Sequence, residues 1–232
     1  SLHVQYEALM LLEIIYVKYP KVFIDINANL IKTILAMKAD TSLIALKYKV
    51  FKAMISSLKE SQMIEILRYT DKILTSIQAG EEQLTALFDF IRIISSKVST
   101  SNLSSIINKY KTDISHINVN LSKFIAILVT ACKEENKYND MCFKLISSSN
   151  DEKIQNNALL LLGDICLFSK NNYTNYIKQL ESLSTQINTN IEKTVAITIG
   201  KIGLSNTSFF IKKVCQNKPQ KSTLVSLREM LL

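Results

Sequence analysis

The chain has 232 residues, 47% hydrophobic and 21% charged, with only 4 Gly and 2 Pro. That is ample apolar sequence for a continuous core, and charged residues break every stretch before it reaches the 18 apolar residues of a membrane span. The formal net charge is +8, yet only 3 of the 28 basic residues are Arg (Arg68, Arg92 and Arg228). Arg is the residue suited to bidentate phosphate and base contacts, so this charge points away from nucleic acid, to a solvated basic surface or an acidic protein partner. The lysines are spread over the whole chain, with local clusters at Lys47/Lys49/Lys52 and Lys212/Lys213.

In chain order, the spacing predicts a first helix over 2–18, stopped by Pro20. A second runs from about 22 to 38. Asp40, Thr41 and Ser42 offer caps for a third through Leu58. Ser61 opens a fourth with Ile64, Ile66, Leu67, Ile73, Leu74 and Ile77 apolar, ending at Gly80 as a C′ glycine. A fifth follows over 81–98, with Glu81 and Glu82 in its first turn. Residues 99–112 form a short polar helix around Leu103, Ile106, Ile107 and Tyr110, and 111–120 reads as a loop. Further helices are expected at 121–133, 138–148, 151–168, 173–186, 189–204 and 207–216, and a last one after Pro219. The total is about thirteen helices, or six pairs and a half, with no sustained strand alternation.

An internal repeat organises these helices. Residues 154–165, IQNNALLLLGDI, match residues 191–202, IEKTVAITIGKI, at an offset of 37. Ile154 pairs with Ile191, Ala158 with Val195, Leu162 with Ile199, Gly163 with Gly200 and Ile165 with Ile202. Val4, Ala8, Leu12 and Ile15 repeat the pattern at the start of the chain. A unit of about 37–47 residues built from paired helices indicates a HEAT or armadillo solenoid. Such a unit cannot bury its apolar face alone and stacks on its neighbours. The expected fold is all-α: a right-handed solenoid of about six hairpins over residues 1–232. Both ends fall inside helix-like sequence, which reads as a piece of a longer array. Ala158, Leu162, Ile165, Val195, Ile199 and Ile202 are the expected core between two neighbouring repeats.

Catalytic and metal patterns do not emerge. His3 and His116 have no second ligand at i+3 or i+4; His3 reads as a helix-surface residue and His116 as a loop residue. Cys132, Cys142, Cys166 and Cys215 form no CxxC pair, and read as unpaired, reduced thiols of a cytosolic or nuclear protein. No GxSxG elbow occurs. Gly200-Lys201-Ile202-Gly203 lacks the glycines of a phosphate-binding loop, and reads as close helix packing followed by a helix end at Gly203. Adjacent Glu81/Glu82 and Glu134/Glu135 point in different directions on a helix and cannot act as an acid–base pair. No catalytic residue, cofactor or metal is therefore expected.

Several segments together resemble the Cand family, the cullin-associated and neddylation-dissociated proteins. LHVQYEALMLLEIIYVKYP, with His3, Val4, Tyr19 and Pro20, is similar to a helix of the family's C-terminal half. FIAILVTACKEE, NNALLLLGDI and NIEKTVAITIGKIGLSN follow in the family's order. Gln216, Pro219, Leu224, Ser226, Leu227 and Glu229 fit its C-terminal pattern. The resemblance implies a non-enzymatic HEAT-repeat superhelix that wraps a cullin and its RING subunit when the cullin lacks its ubiquitin-like modifier. It would promote exchange of substrate-receptor modules in the cytoplasm or nucleus, with no nucleic acid, membrane or small-molecule substrate. The alternative is an importin-type HEAT transport receptor. In such pairs the second helix lines the inner face, which makes Arg68, Lys72, Lys109, Lys178 and Lys212 the candidate partner contacts.

Overall fold

Apolar residues recurring every three to four positions make the described part of this chain helical almost throughout. The computed structural model describes residues 1–21, 23–37, 40–76, 81–169, 171, 173–184, 189–208 and 211–212. Among them are eleven α-helices, two 3₁₀ turns and no strand. Gly80, Lys213, Cys215, most of the helix expected at 207–216 and everything from Pro219 onward lie outside the described residues.

The chain divides into two compact units, Ser1–Ile106 and Ile107–Leu232. The first holds α1 (Leu2–Lys18), α2 (Asn27–Ala36), α3 (Thr41–Ala53), α4 (Glu60–Leu74) and α5 (Glu81–Ser95). The short α6 (Thr100–Ile107) closes it. Here α3 packs between α1 and α5, and α2 packs on α4. Alternate helices thus lie side by side, the arrangement of successive helical hairpins. The second unit holds α7 (Val119–Cys132), α8 (Glu135–Ser148), α9 (Glu152–Phe168), α10 (Thr174–Ser184) and α11 (Thr189–Ser205). There α9 packs between α7 and α11, α8 lies against α9, and α10 lies against α11.

Local chemistry sets most boundaries. Asp40 accepts from Ser42 N at 2.9 Å, Asn118 from Leu121 N at 2.9 Å and Asp151 from Lys153 N at 2.8 Å. Each satisfies an orphan donor of a first turn. α7 ends at Lys133, in the left-handed region with φ 58°. Several expected boundaries shift: α3 ends at Ala53, short of Leu58, and gives way to a 3₁₀ turn over Ile55–Ser57, α8 starts at Glu135, and α11 runs past Gly203 to Ser205. α2 starts at Asn27, because that side chain is wholly buried, accepts from Tyr16 Oη at 2.5 Å and donates to Ser57 Oγ at 3.0 Å. Residues 23–26 are spent on turns that deliver it there. α4 starts at Glu60 rather than Ser61, where Gln62 Oε1 accepts from Lys59 N at 2.8 Å.

The expected core between repeats is present. Ala158, Leu162, Ile165, Val195, Ile199 and Ile202 are all buried, on the packed helices α9 and α11. The early copy of the pattern fails in register. Val4 and Ala8 are exposed, Leu12 and Ile15 are half-buried, and α1 buries Leu9 and Tyr16 instead. α1 packs on α3 alone in its row, so only one stripe of it is covered. The loop over 112–118 is anchored from within: Ile114 and Ile117 are buried, and Asn157 Nδ2 donates to Ile114 O at 2.8 Å.

Gly163 explains how closely α9 and α11 approach. A Cβ there would stand 3.1 Å from Lys201 Cδ and 3.3 Å from the Thr198 Cα. A backbone atom cannot yield without moving the helix. Gly163→Ala gains about 0.5–1 kcal/mol of helix preference but incurs an overpacking cost of about 1–3 kcal/mol. The expected result is a net loss of about 1 kcal/mol in urea unfolding; a variant as stable as the parent would contradict this packing.

Candidate functional site

The polar groups of the interior are concentrated where helices meet. Asp164, on α9, is fully buried. Its Oδ2 accepts from Ser122 Oγ of α7 at 2.6 Å, and its Oδ1 pairs with Lys201 Nζ of α11 at 2.5 Å. The Lys201 side chain is 16% exposed. One further bond joins the same helices, from Thr198 Oγ1 to Leu159 O at 3.0 Å. These side chains form a polar crosspiece through α7, α9 and α11.

Three buried tyrosines play the same part elsewhere. Tyr16 reaches Asn27, Tyr48 Oη lies 2.5 Å from Thr70 Oγ1, and Tyr138 Oη donates to Ile107 O at 2.8 Å. Desolvation raises the Tyr48 and Tyr138 hydroxyls well above the ordinary phenol range. Burial does the same to the thiols of Cys142 and Cys166. Among the described residues, Cys132, Cys142 and Cys166 form no disulfide.

The first unit contains a buried cation. Lys47 is fully buried on α3, donating to Met37 O at 2.7 Å and to Tyr69 Oη at 3.3 Å. It thereby serves a carbonyl just past the end of α2, where backbone acceptors lack helical partners. Desolvation lowers its pKa to about 8. The basic cluster Lys47/Lys49/Lys52 is therefore not a surface cluster: Lys49 and Lys52 are exposed, Lys52 lies 3.8 Å from Asp89, and Lys47 points inward. At the edge of the unit, Glu60 accepts from Ser99 N at 2.8 Å and Asn102 Nδ2 at 3.0 Å. Those donors hold its carboxyl down at about 2.

The five residues singled out from the sequence are all exposed. Arg68 and Lys72 are brought together, one turn apart on α4. Lys109 sits in the 3₁₀ turn Asn108–Lys111, its ammonium 4.8 Å from the Tyr110 ring centre. Lys178 is on α10, and Lys212 lies beyond α11. The last three stand on separate elements. Among the described residues no three His, Cys, Asp or Glu side chains are grouped to hold a metal ion.

Sequence reasoning missed Asp164, Ser122 and Lys47, although Asp164 and Lys47 each carried a signal. Lys47 sits in the apolar stripe Leu43, Ile44, Val50 and Phe51, at a core position. Asp164 and Lys201 are 37 residues apart, the repeat offset itself, so opposite charges occupy equivalent places in neighbouring repeats.

Two outcomes are expected. Asp164→Ala strands Lys201 and Ser122 and should cost about 3 kcal/mol, near the low end for one-sided loss of a buried pair because Lys201 keeps some water. Asp164→Leu with Lys201→Met should recover most of that, giving a coupling of at least about 1 kcal/mol in a double-mutant cycle; additive losses would contradict the crosspiece. For Lys47, the folded pKa near 8 lies below the unfolded value of about 10.4. The unfolded chain holds the extra proton between them, so this group makes stability rise with pH across that window. The stability difference between the parent and Lys47→Met should grow in favour of the parent from pH 8 to about 10, and a flat difference would refute it.

Comparison with known proteins finds no match: no family model, no curated protein and no solved structure matches this chain.

Proposed function

We propose that this chain is a non-catalytic protein-binding scaffold, a segment of right-handed HEAT-type solenoid that regulates a cullin–RING ubiquitin ligase. The observation that carries the reading is the side-by-side packing of alternate helices within each unit, α1–α3–α5 and α7–α9–α11. Hairpins stacked in this way bury their apolar faces against one another and turn polar faces outward. Such a surface suits extended contact with another protein. The resemblance of five segments, in order, to the Cand family supplies the partner: a cullin and its RING subunit, in the form lacking the ubiquitin-like modifier. Exchange of substrate-receptor modules is the corresponding activity, and cytoplasm or nucleus the corresponding compartment. No helix among the described residues is long and apolar enough to cross a membrane.

Arg68 and Lys72 are the contacts this reading favours first. Both are exposed, and their positive charges on adjacent turns of α4 suit an acidic partner surface. Each exposed pair contributes only about 0–1 kcal/mol, so affinity comes from many repeats acting together.

The test is binding of the full-length protein to the organism's cullin–RING pair with and without the modifier. Preference for the unmodified form is expected, with Arg68→Glu/Lys72→Glu weakening it by about three- to tenfold. Equal binding to both forms, or to neither, refutes the reading. Binding to a Ran-type GTPase instead supports the transport-receptor alternative.

A further inference from the structure

We propose that Ser149, in the turn between α8 and α9, is a phosphorylation site for a serine kinase that reads carboxylates on the C-terminal side of its target. Five Ser or Thr residues have a carboxylate three positions further on: Ser57, Ser148, Ser149, Thr189 and Ser226. The structure describes the side chains of the first three. Ser57 is buried, its hydroxyl donating to Met54 O at 2.8 Å. Ser148 is still in the last turn of α8, its hydroxyl turned back to Lys144 O at 2.8 Å. Ser149 is where α8 ends. Its backbone is extended (φ −81°, ψ 137°), and so is that of Asp151 (φ −88°, ψ 110°).

A kinase grips the residues around its target along an open cleft, which suits a segment that is already extended and lies at a turn between helices. Ser149 Oγ accepts from Asp151 N at 3.1 Å and ties down no buried group. Asp151 is exposed at the second position after it, and Glu152 stands at the third. Two carboxylates on one side of the hydroxyl are complementary to a basic substrate groove and discriminate against the chain's many other serines. Glu152 opens α9, so docking requires only that this first turn fray. In the transfer, Ser149 Oγ forms the new P–O bond, the bond from the γ-phosphorus of ATP to ADP breaks, and the hydroxyl proton passes to the kinase's catalytic carboxylate. The charges of Lys144, Asp151, Glu152 and Lys153 sum to zero. The phosphate takes that sum to about −2, an acidic corner on a chain of net charge +8.

The test incubates the 232-residue chain with ATP and a purified acidophilic kinase of the casein kinase type, and maps the phosphate by peptide mass spectrometry. Phosphate is expected on Ser149; Ser149→Ala should remove it from this turn, and Ser148→Ala should leave it. Asp151→Asn removes the charge but keeps the cap of α9, since Asn caps as well as Asp. Combined with Glu152→Gln it should slow phosphorylation by about tenfold or more, with the helical circular dichroism unchanged. A chain that takes no phosphate at Ser149, one that takes it on Ser148 instead, or a rate indifferent to the neutralised pair overturns the proposal.

Discussion

A carboxylate without access to water sits among three helices of the second unit, and their register depends on it. Asp164 carries its charge into the α7–α9–α11 row and is met from one side by a hydroxyl and from the other by an ammonium. Removing a charge from water is expensive, and the expense is offset only while both partners stay in place. A rotation of α9, or a slip of one turn along α11, would keep much of the apolar contact but forfeit both polar bonds. Apolar packing alone tolerates such neighbouring arrangements, because burial has no direction. The crosspiece removes them. Gly163 belongs to the same device: by leaving no side chain at that point, it lets the aliphatic stem of Lys201 lie against α9 on its way to the carboxylate.

The other interior polar groups follow a shared logic. Tyr16, Tyr48 and Tyr138 fill volume with their rings and carry a hydroxyl across to another segment. Lys47 does this with a longer stem, ending on a carbonyl beyond α2. In each case the apolar part of the side chain belongs to the core while its tip hydrogen-bonds a polar group of another segment. Polar residues thus decide which helix end meets which neighbour, and aliphatic residues supply the bulk of the burial.

Much of the helical plan could be read from residue spacing. Pro20 marks the end of α1, Asp40 caps α3, and the offset of 37 identifies α9 and α11 as equivalent helices that pack together. The core positions within those two helices were legible because each is covered by neighbours and obeys the same pattern. α1 was misread for the complementary reason: it is apolar nearly all round, so its sequence does not say which stripe faces α3. Periodicity also places one charged residue, Lys47, on an apolar stripe. Counting Lys47 with Lys49 and Lys52 grouped it by sequence position, whereas its placement three and four residues from Leu43, Ile44, Val50 and Phe51 puts it in the core. Of the five candidate cations, Arg68 and Lys72 are the two that stand four residues apart on one helix, where i and i+4 share a face.

The side-chain ties also bear on how the chain reaches this state. The cross-helix bonds span modest separations: 22 residues for Tyr48 to Thr70, 37 for Lys201 to Asp164, 39 for Ser99 to Glu60 and 43 for Asn157 to Ile114. Loop-closure entropy grows only with the logarithm of the span, so none of these contacts must await a distant part of the chain. Each helix can dock on one already in place, and a unit can lengthen stepwise from whichever hairpin forms first. Contacts of this reach give rapid folding. They also confine misfolding to the neighbouring hairpin, so a growing chain on the ribosome can bury each new apolar face soon after its partner helix emerges.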